Sequence, residues 1–337
     1  MDKTIAKICE VLTGHDHFLV VSHAMPDGDA IGAQLGMGEI LRRLNKNCRF
    51  YNISGFPVNF DWINPGLMFA KSMAELDDFK PEVCIFLDCG DQLRAGPEMQ
   101  ALIDNKVFPL SISIDHHREN PEFATVNWVD SSASATAYMV AQIAKALELP
   151  LTGLLGRAIY LGLVDDTGSF SYTNTDARTL ALAAEIVELG LNVGQFNTCR
   201  ENTWSMERFR FWGRLSNSVR MAHNRSIAYV CVTQAMLDEA GLTIADVSDF
   251  ASWMRRIRGT AICALIREHG AGLIKVSLRS AVNVNVQQVA VKFGGGGHIN
   301  AAAMEVAGEI ETVAERLLPE LIKAIDSANP PGSCKSQ

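Results

Sequence analysis

The sequence has no Cys-x-x-Cys pair, and its eight cysteines are scattered at positions 9, 48, 84, 89, 199, 231, 263 and 334. That spacing excludes the common zinc ribbons and a disulfide framework, and reads as reduced, mostly buried thiols. No apolar run reaches the roughly 18 residues that cross a bilayer. Residues 1–10 carry acids where a signal peptide needs an apolar centre. A cytoplasmic protein that stays off membranes is expected. Internal repeats and low-complexity blocks are missing too, which excludes a solenoid. Positive charge is in short supply, with 30 Lys/Arg against 38 Asp/Glu and a net charge of −8. Tight binding of long duplex DNA, which rests on many phosphate contacts, is therefore not expected.

What is present suits an ordinary globular protein. The chain has 337 residues, 48% of them hydrophobic and 20% charged, enough for two domains with their own cores. Its charge is unevenly spread. Residues 200–300 hold 13 Lys/Arg against seven Asp/Glu, a surplus of +6 that leaves −14 for the remainder. A metal-binding half joined to an anion-binding half has this balance, and so does a chain with one arginine-rich solvated face.

The N-terminal half alternates short apolar runs with helical segments. Strands are predicted over 17–22, 48–53, 83–87 and 111–114, with helices over 29–44, 132–147, 157–163 and 177–189. Apolar runs separated by helices indicate a parallel sheet with crossovers. The polar, Arg-rich stretch 191–221 reads as a connector loop plus helix. A new strand over 227–232 then opens a second α/β unit that runs to about residue 326, and 329–337 reads as a disordered tail.

Acids and histidines gather at the ends of these elements. The first strand runs into His23, Asp27 and Asp29, and the strand ending at Leu87 runs into Asp88. The strand ending at Ile114 delivers Asp115, His116 and His117, and a helix end brings Asp165 and Asp166. In open α/β sheets, ligands bind beyond the C-terminal strand ends. Carboxylates with imidazoles suit Mn²⁺, Fe²⁺, Zn²⁺ or Mg²⁺, and two such ions activate water while neutralising a phosphoryl group. Asp91 reads as a helix cap beyond its strand.

Taken in order, His23-x-x-x-Asp27-x-Asp29, Asp88, Asp115-His116-His117 and Asp166-Thr167-Gly168 resemble the successive motifs of the DHH phosphoesterase family. Phe293-Gly294-Gly295-Gly296-Gly297-His298-x-x-Ala301-Ala302 resembles the signature of that family's associated C-terminal domain. Size and motif content are similar to the nanoRNase/pAp-phosphatase type, over roughly residues 15–325. The resemblance implies two divalent ions, with Mn²⁺ favoured. It implies His23 and Asp27 on one ion, Asp29, His116 and Asp166 on the other, and Asp88 bridging the two. His117 would stand beside the scissile phosphate, and Asp115 would orient an imidazole. Two departures, Ala33 where serine is frequent and Ala303 where glycine is frequent, touch no implied ligand.

The glycine run has a physical reading of its own. Four consecutive glycines carry an entropic cost and suit exposed N–H groups that approach an anion closely. Arg279 and Ser280 on a preceding strand, with His298, would hold a phosphate or base. In the family these positions grip substrate. Trp204, Phe209, Phe211 and Trp212 interleave with Arg200, Arg208, Arg210 and Arg214, a pattern that fits base stacking or a connector helix docking on its neighbours. His15 and His17 read as surface residues, and His223 and His269 as structural.

The expected architecture is a Rossmann-like parallel-sheet domain over 1–195, a connector over 196–221, and a smaller α/β domain over 222–328, with the active-site cleft between them. The expected function is hydrolysis of short oligoribonucleotides to mononucleotides, and of pAp to AMP. Cleavage of a linear or cyclic dinucleotide or of polyphosphate is the alternative within the same chemistry. A RecJ-type exonuclease would carry a further domain, and a related pyrophosphatase would lack the glycine signature. A non-catalytic nucleotide sensor would have lost a ligand, and all six are present. A homodimer is the expected assembly.

Overall fold

The computed structural model describes residues 3–76, 79–270, 272–281 and 283–328, so the tail expected to be disordered over 329–337 lies outside the described residues. The chain divides into two compact units, Met1–Thr203 and Trp204–Gln337. The divide falls inside the stretch read as a connector, which is itself largely helical.

In the first unit, α1 (Lys3–Gly14), β1 (Phe18–Ser22), α2 (Gly28–Arg43), β2 (Cys48–Tyr51), β3 (Phe69–Ala70) and β4 (Val83–Leu87) come first. They are followed by α3 (Pro97–Asp104), β5 (Leu110–Asp115), β6 (Val126–Val129), α4 (Thr136–Ala146), α5 (Gly153–Asp166), α6 (Ala177–Glu188) and α7 (Val193–Glu201). The six strands form an all-parallel sheet in the order β3-β2-β1-β4-β5-β6. Every residue of β1 and β4 is buried, as strands covered on both faces must be. Alternation divides their side chains between two cores. Phe18, Val20, Val83 and Ile85 meet the cluster that contains α2, α4 and α5, while Leu19, Val21, Cys84 and Phe86 meet the smaller cluster on the other face. Strand order reverses between β1 and β4, the switch point at which an open parallel sheet leaves a crevice.

In the second unit, α8 (Met206–Ser218), β7 (Arg220–Ala222), β8 (Ile227–Val232), α9 (Gln234–Ala240) and α10 (Phe250–Met254) precede β9 (Ile262–Glu268) and β10 (Leu273–Ser280). Then come α11 (Gln287–Lys292), β11 (Gly296–His298), β12 (Ala301–Ala307) and α12 (Ile310–Ala328). The sheet runs β11-β12-β10-β9-β8-β7 and is mixed, β8 and β9 being its parallel pair. Ile262, Ala264 and Ile266 pack on one face with α12, and Cys263 and Leu265 on the other with α8 and α10. Both units are α/β. Among the described residues, no helix is long and apolar enough to cross a membrane.

Three elements differ from the sequence expectation for physical reasons. The helix expected from 132 starts at Thr136, because Asp130 ties the preceding chain into a turn through the amide and hydroxyl of Ser132. The helix expected over 157–163 runs from Gly153 to Asp166. It is buried on most sides, so it lacks the polar stripe by which an amphipathic helix is recognised. The arginine-rich stretch forms α7 and α8, with Phe211 and Trp212 buried in the second unit's core. There Arg208 lies 4.5 Å over the Trp204 ring, the docking-helix arrangement, while Phe209 stays exposed.

Candidate metal centre

The site is built at the C-terminal ends of β1, β4 and β5, around the switch point. Asp27 caps α2, accepting from the amides of Asp29 and Ala30, and this places Asp29 in the first helical turn. Asp88 follows β4 directly with φ +59°, a left-handed conformation that non-glycine residues rarely adopt. Such strain persists only where the surroundings hold it. Here the amide of Asp88 donates to Ile114 O, and the amide of Gly90 donates to Asp115 Oδ2 at 2.8 Å. Asp166 is the last residue of α5, which packs along α2 through glycine. A Cβ on Gly162 would lie 2.4 Å from Ala137 Cβ and 2.5 Å from Asp29 Oδ1, so only glycine lets these helices bring Asp29 and Asp166 together.

Three groups of side chains result, each with ligand atoms within 4.8 Å of one another: His23, Asp27 and Asp88; Asp29, His116 and Asp166; and Asp88, His116 and His117. The two oxygens of Asp88 face different groups. Oδ2 is 3.6 Å from His23 Nε2, and Oδ1 is 3.6 Å from His116 Nε2. His116 Nε2 is also 3.1 Å from Asp166 Oδ2 and 4.0 Å from Asp29 Oδ2. Asp165 is turned elsewhere, its Oδ2 accepting from the amide of Gly28.

The residues fit divalent ions on three counts. His23 Nε2 is buried with no hydrogen-bond partner, 3.8 Å from Asp27 Oδ1 and 3.6 Å from Asp88 Oδ2. Those gaps are too wide for hydrogen bonds. They match ligand atoms that share a cation about 2.1 Å from each. His23 Nδ1 contacts Ala24 O at 2.9 Å and His116 Nδ1 contacts Ala133 O at 3.3 Å. A carbonyl only accepts, so each ring presents Nε2 to the carboxylates, as metal-bound imidazoles do. The charges agree. Burial, with the neighbouring Asp88 carboxylate, pushes Asp29 and Asp166 well above the usual carboxylate range. Burial lowers His23, yet Asp27 and Asp88 outweigh it and bring that imidazole up to about 10. Carboxylates crowded together under burial in this way favour a cation among them.

His117 is held differently. Its Nδ1 lies 2.8 Å from Asp115 Oδ1, and its Nε2 lies 3.5 Å from Arg94 Nη1. Asp115 accepts further bonds from the amides of His117 and Gly90 and from Asn120 Nδ2. Burial would raise its carboxyl, but the bonds to His117 and Asn120 hold it down at about 2. The imidazole that Asp115 orients is thus His117. Asp91 caps the short 3₁₀ helix after β4 through the amides of Leu93 and Arg94.

Several contributors escaped the sequence reading. The Thr136 hydroxyl donates to Asp88 Oδ1 at 2.9 Å, and its amide to Asp29 Oδ2 at 2.6 Å; both partners are remote in sequence. Arg94 beside His117 left no motif either. Asn120, five residues after Asp115, carried a local spacing that a closer look at that loop would have flagged.

The remaining candidates lie in the second unit. Arg279 is half-buried, with Nε bonded to Ser252 Oγ at 3.1 Å. Ser280 is buried, its hydroxyl donating to Val284 O and accepting from Asn300 Nδ2, so it holds the chain after β10. The second half of the glycine run is part of an edge strand, in which Gly296, Gly297 and His298 pair with Ala303, Ala302 and Ala301. A Cβ on Gly295 would stand 2.2 Å from Ala303 O, so close approach to β12 explains that glycine. Gly294, Gly296, Gly297 and His298 are exposed.

Comparison with known proteins agrees with this geometry. The chain is 28% identical over 325 residues to the bifunctional oligoribonuclease and PAP phosphatase NrnA of Thermus thermophilus, covering 94% of this chain and 92% of that protein. It is 27% identical to the Bacillus subtilis protein of the same name, covering 94% and 96%. The solved structure of an exopolyphosphatase-related protein from Bacteroides fragilis shares the fold, with a TM-score of 0.88 at 22% identity over 97% of this chain and 99% of that one. The model of the DHH family, N-terminal domain, matches residues 17–163, and that of the DHHA1 domain matches residues 224–329. The chain is thus an N-terminal DHH domain followed by a DHHA1 domain.

Proposed function

We propose that the protein is a cytoplasmic phosphoesterase that uses two divalent ions, Mn²⁺ by preference, to hydrolyse short oligoribonucleotides to mononucleotides and pAp to AMP. The observation that carries this reading is Asp88, whose two carboxylate oxygens face two separate His/Asp groups from a strained backbone. His23 and Asp27 would hold one ion, and Asp29, His116 and Asp166 the other, with Asp88 shared. Bound there, the ions would supply an activated water and neutralise the phosphoryl group.

The chain's own groups do the rest. Thr136 keeps Asp88 and Asp29 in place through its hydroxyl and amide. Asp115 fixes the ring of His117, whose Nε2 faces the neighbouring Arg94 guanidinium, and that guanidinium would donate to a phosphoryl oxygen as charge develops on it. In the second unit, Arg279 and His298 lie in one cross-strand row and offer a grip for the RNA backbone. The two NrnA relatives carry the same pair of activities in their names, which supports the substrate choice. The seven cysteines among the described residues are free thiols, in keeping with a reducing compartment.

The test is a turnover panel in Mn²⁺ that compares RNA two to five nucleotides long, a 24-mer, pAp and a cyclic dinucleotide, with Asp88→Ala alongside. Rapid loss of the short RNA and of pAp, abolished by the substitution, is the expected result. Preference for the cyclic dinucleotide would keep the chemistry and change the substrate. Absence of turnover with ions demonstrably bound would defeat the enzyme reading.

A further inference from the structure

The register of the second unit's sheet puts three rows of residues on one face. Residues directly opposite in a ladder share a face, and successive rows on it are two residues apart. His298, Ala301 and Arg279 form the first row, Gly296, Ala303 and Ser277 the second, and Glu305, Lys275 and Arg267 the third. On β10 the residues of this face, Lys275, Ser277 and Arg279, are half-buried, whereas Ile274, Val276 and Leu278 on the other are buried. The face is thus partly open, with small side chains between two cationic ends.

The third row is charged beyond what the protein balances. Arg267 is 4% exposed, and its Nε and Nη1 are buried with no hydrogen-bond partner. Buried guanidinium nitrogens without acceptors are costly, and an unmet donor pair of this kind marks a place for an anion. Lys275, directly opposite, has Nζ 3.7 Å from Glu305 Oε1. His269 Nε2 is 3.5 Å from that same oxygen, and His269 Nδ1 is buried without a partner. One carboxylate, Glu305, therefore serves a lysine and a histidine and acts on the arginine by charge alone, without a hydrogen bond to its Nε or Nη1. Burial draws the Arg267 pKa below its ordinary value, and the charge of Glu305 offsets this only in part.

We propose that Arg267 and Lys275 form a second phosphate subsite, which holds an RNA backbone phosphate beyond the one gripped at Arg279 and so favours longer oligomers over dinucleotides. The proposal rests on the oligoribonucleotide reading given above. Its geometry comes from the strand: Lys275 and Arg279 are four residues apart on β10, about 13 Å at roughly 3.3 Å per residue. That is further than a single repeat of an extended nucleotide backbone, so a dinucleotide held at Arg279 does not reach it. The planar fork of Arg267 suits two phosphate oxygens, and Lys275 adds a point charge. The row of Gly296, Ala303 and Ser277 leaves room for the chain to pass between the two ends.

Anisotropy titrations with labelled RNA of two and five nucleotides, in Ca²⁺ to slow cleavage, test this on the full protein, with turnover followed separately in Mn²⁺. In Lys275→Gln the preference for the five-mer over the dimer falls about tenfold, and the salt dependence of five-mer binding drops by a slope of about 0.7 for the lost contact. Arg267→Met has the larger effect where it folds; Lys275→Gln, at a partly exposed position, keeps the test open where it does not. An unchanged preference in Lys275→Gln overturns the subsite, and so does an equal loss for both RNAs, which would mark structural support. Lost five-mer preference without turnover of either RNA by the unaltered protein sustains the subsite and defeats the phosphoesterase reading. Turnover with unchanged preference does the reverse.

Discussion

In the first unit, charge of one sign is turned inward: Asp29 and Asp88 are buried, and Asp27, Asp166 and two imidazoles close around them. In the second, charge of the other sign is laid along a half-open sheet face whose far edge is a glycine strand. The contrast shows two ways of preparing for phosphate. Inward carboxylates repel one another at short range and low dielectric, so they need cations at fixed places and a backbone that cannot yield. Asp88 at φ +59° and the Gly162 contact with Asp29 supply that rigidity. Lys275 and Arg279, half-buried on their face, are eased by water and salt, and there the spacing between them carries the selectivity.

The largest expected effect breaks the first arrangement. Asp88→Ala removes the carboxylate that both groups share, and kcat for five-mer RNA in Mn²⁺ falls by more than about 10³-fold, roughly 4 kcal/mol, while circular dichroism stays native. His117→Ala removes the imidazole that Asp115 orients beside Arg94; about 10²-fold in kcat is expected with little change in KM, a split that steady-state kinetics reads directly. Saturating Mn²⁺ should raise the melting temperature by binding the folded form, about 2.7 kcal/mol at a hundredfold excess over Kd, and Asp88→Ala should lose most of that increment. Gly162→Ala drives a methyl into Ala137 and Asp29, at about 1–3 kcal/mol in denaturant unfolding, with part of the Mn²⁺ increment lost as Asp29 shifts. The smallest effect sharpens the other side of the comparison. His298→Ala on the exposed edge strand raises KM for short RNA about tenfold, roughly 1.4 kcal/mol, and leaves the unfolding free energy within about 0.5 kcal/mol of its starting value.

Much of the first unit was legible because its signals are local. Buried strands such as Phe18–Ser22 and Val83–Leu87 are apolar runs that end where the polar ligands begin, so His23, Asp27 and Asp88 stand out at the boundary. Asp91 as a cap was equally local, with the amides that donate to it two and three residues on. Thr136 was not legible, since its partners Asp88 and Asp29 lie 48 and 107 residues away and a threonine at a helix start has an ordinary explanation. The full extent of α5 was hidden because a helix enclosed by protein needs no polar stripe. Four glycines in a row advertise freedom, and Gly294, Gly296 and Gly297 are exposed, but nothing local shows that Gly295 answers to a backbone oxygen of β12.

The residue types and their order along the chain determined by themselves that strands would end in carboxylates and imidazoles, because apolar runs and the polar turns after them are written in consecutive residues. Which oxygen of Asp88 faces which histidine, how α5 comes to carry Asp166 against His116, and that Arg267 comes to lie opposite Lys275 were decided by tertiary structure alone. Each depends on strand register, a strained φ or a helix contact through glycine, and these are set by packing between segments far apart in the chain.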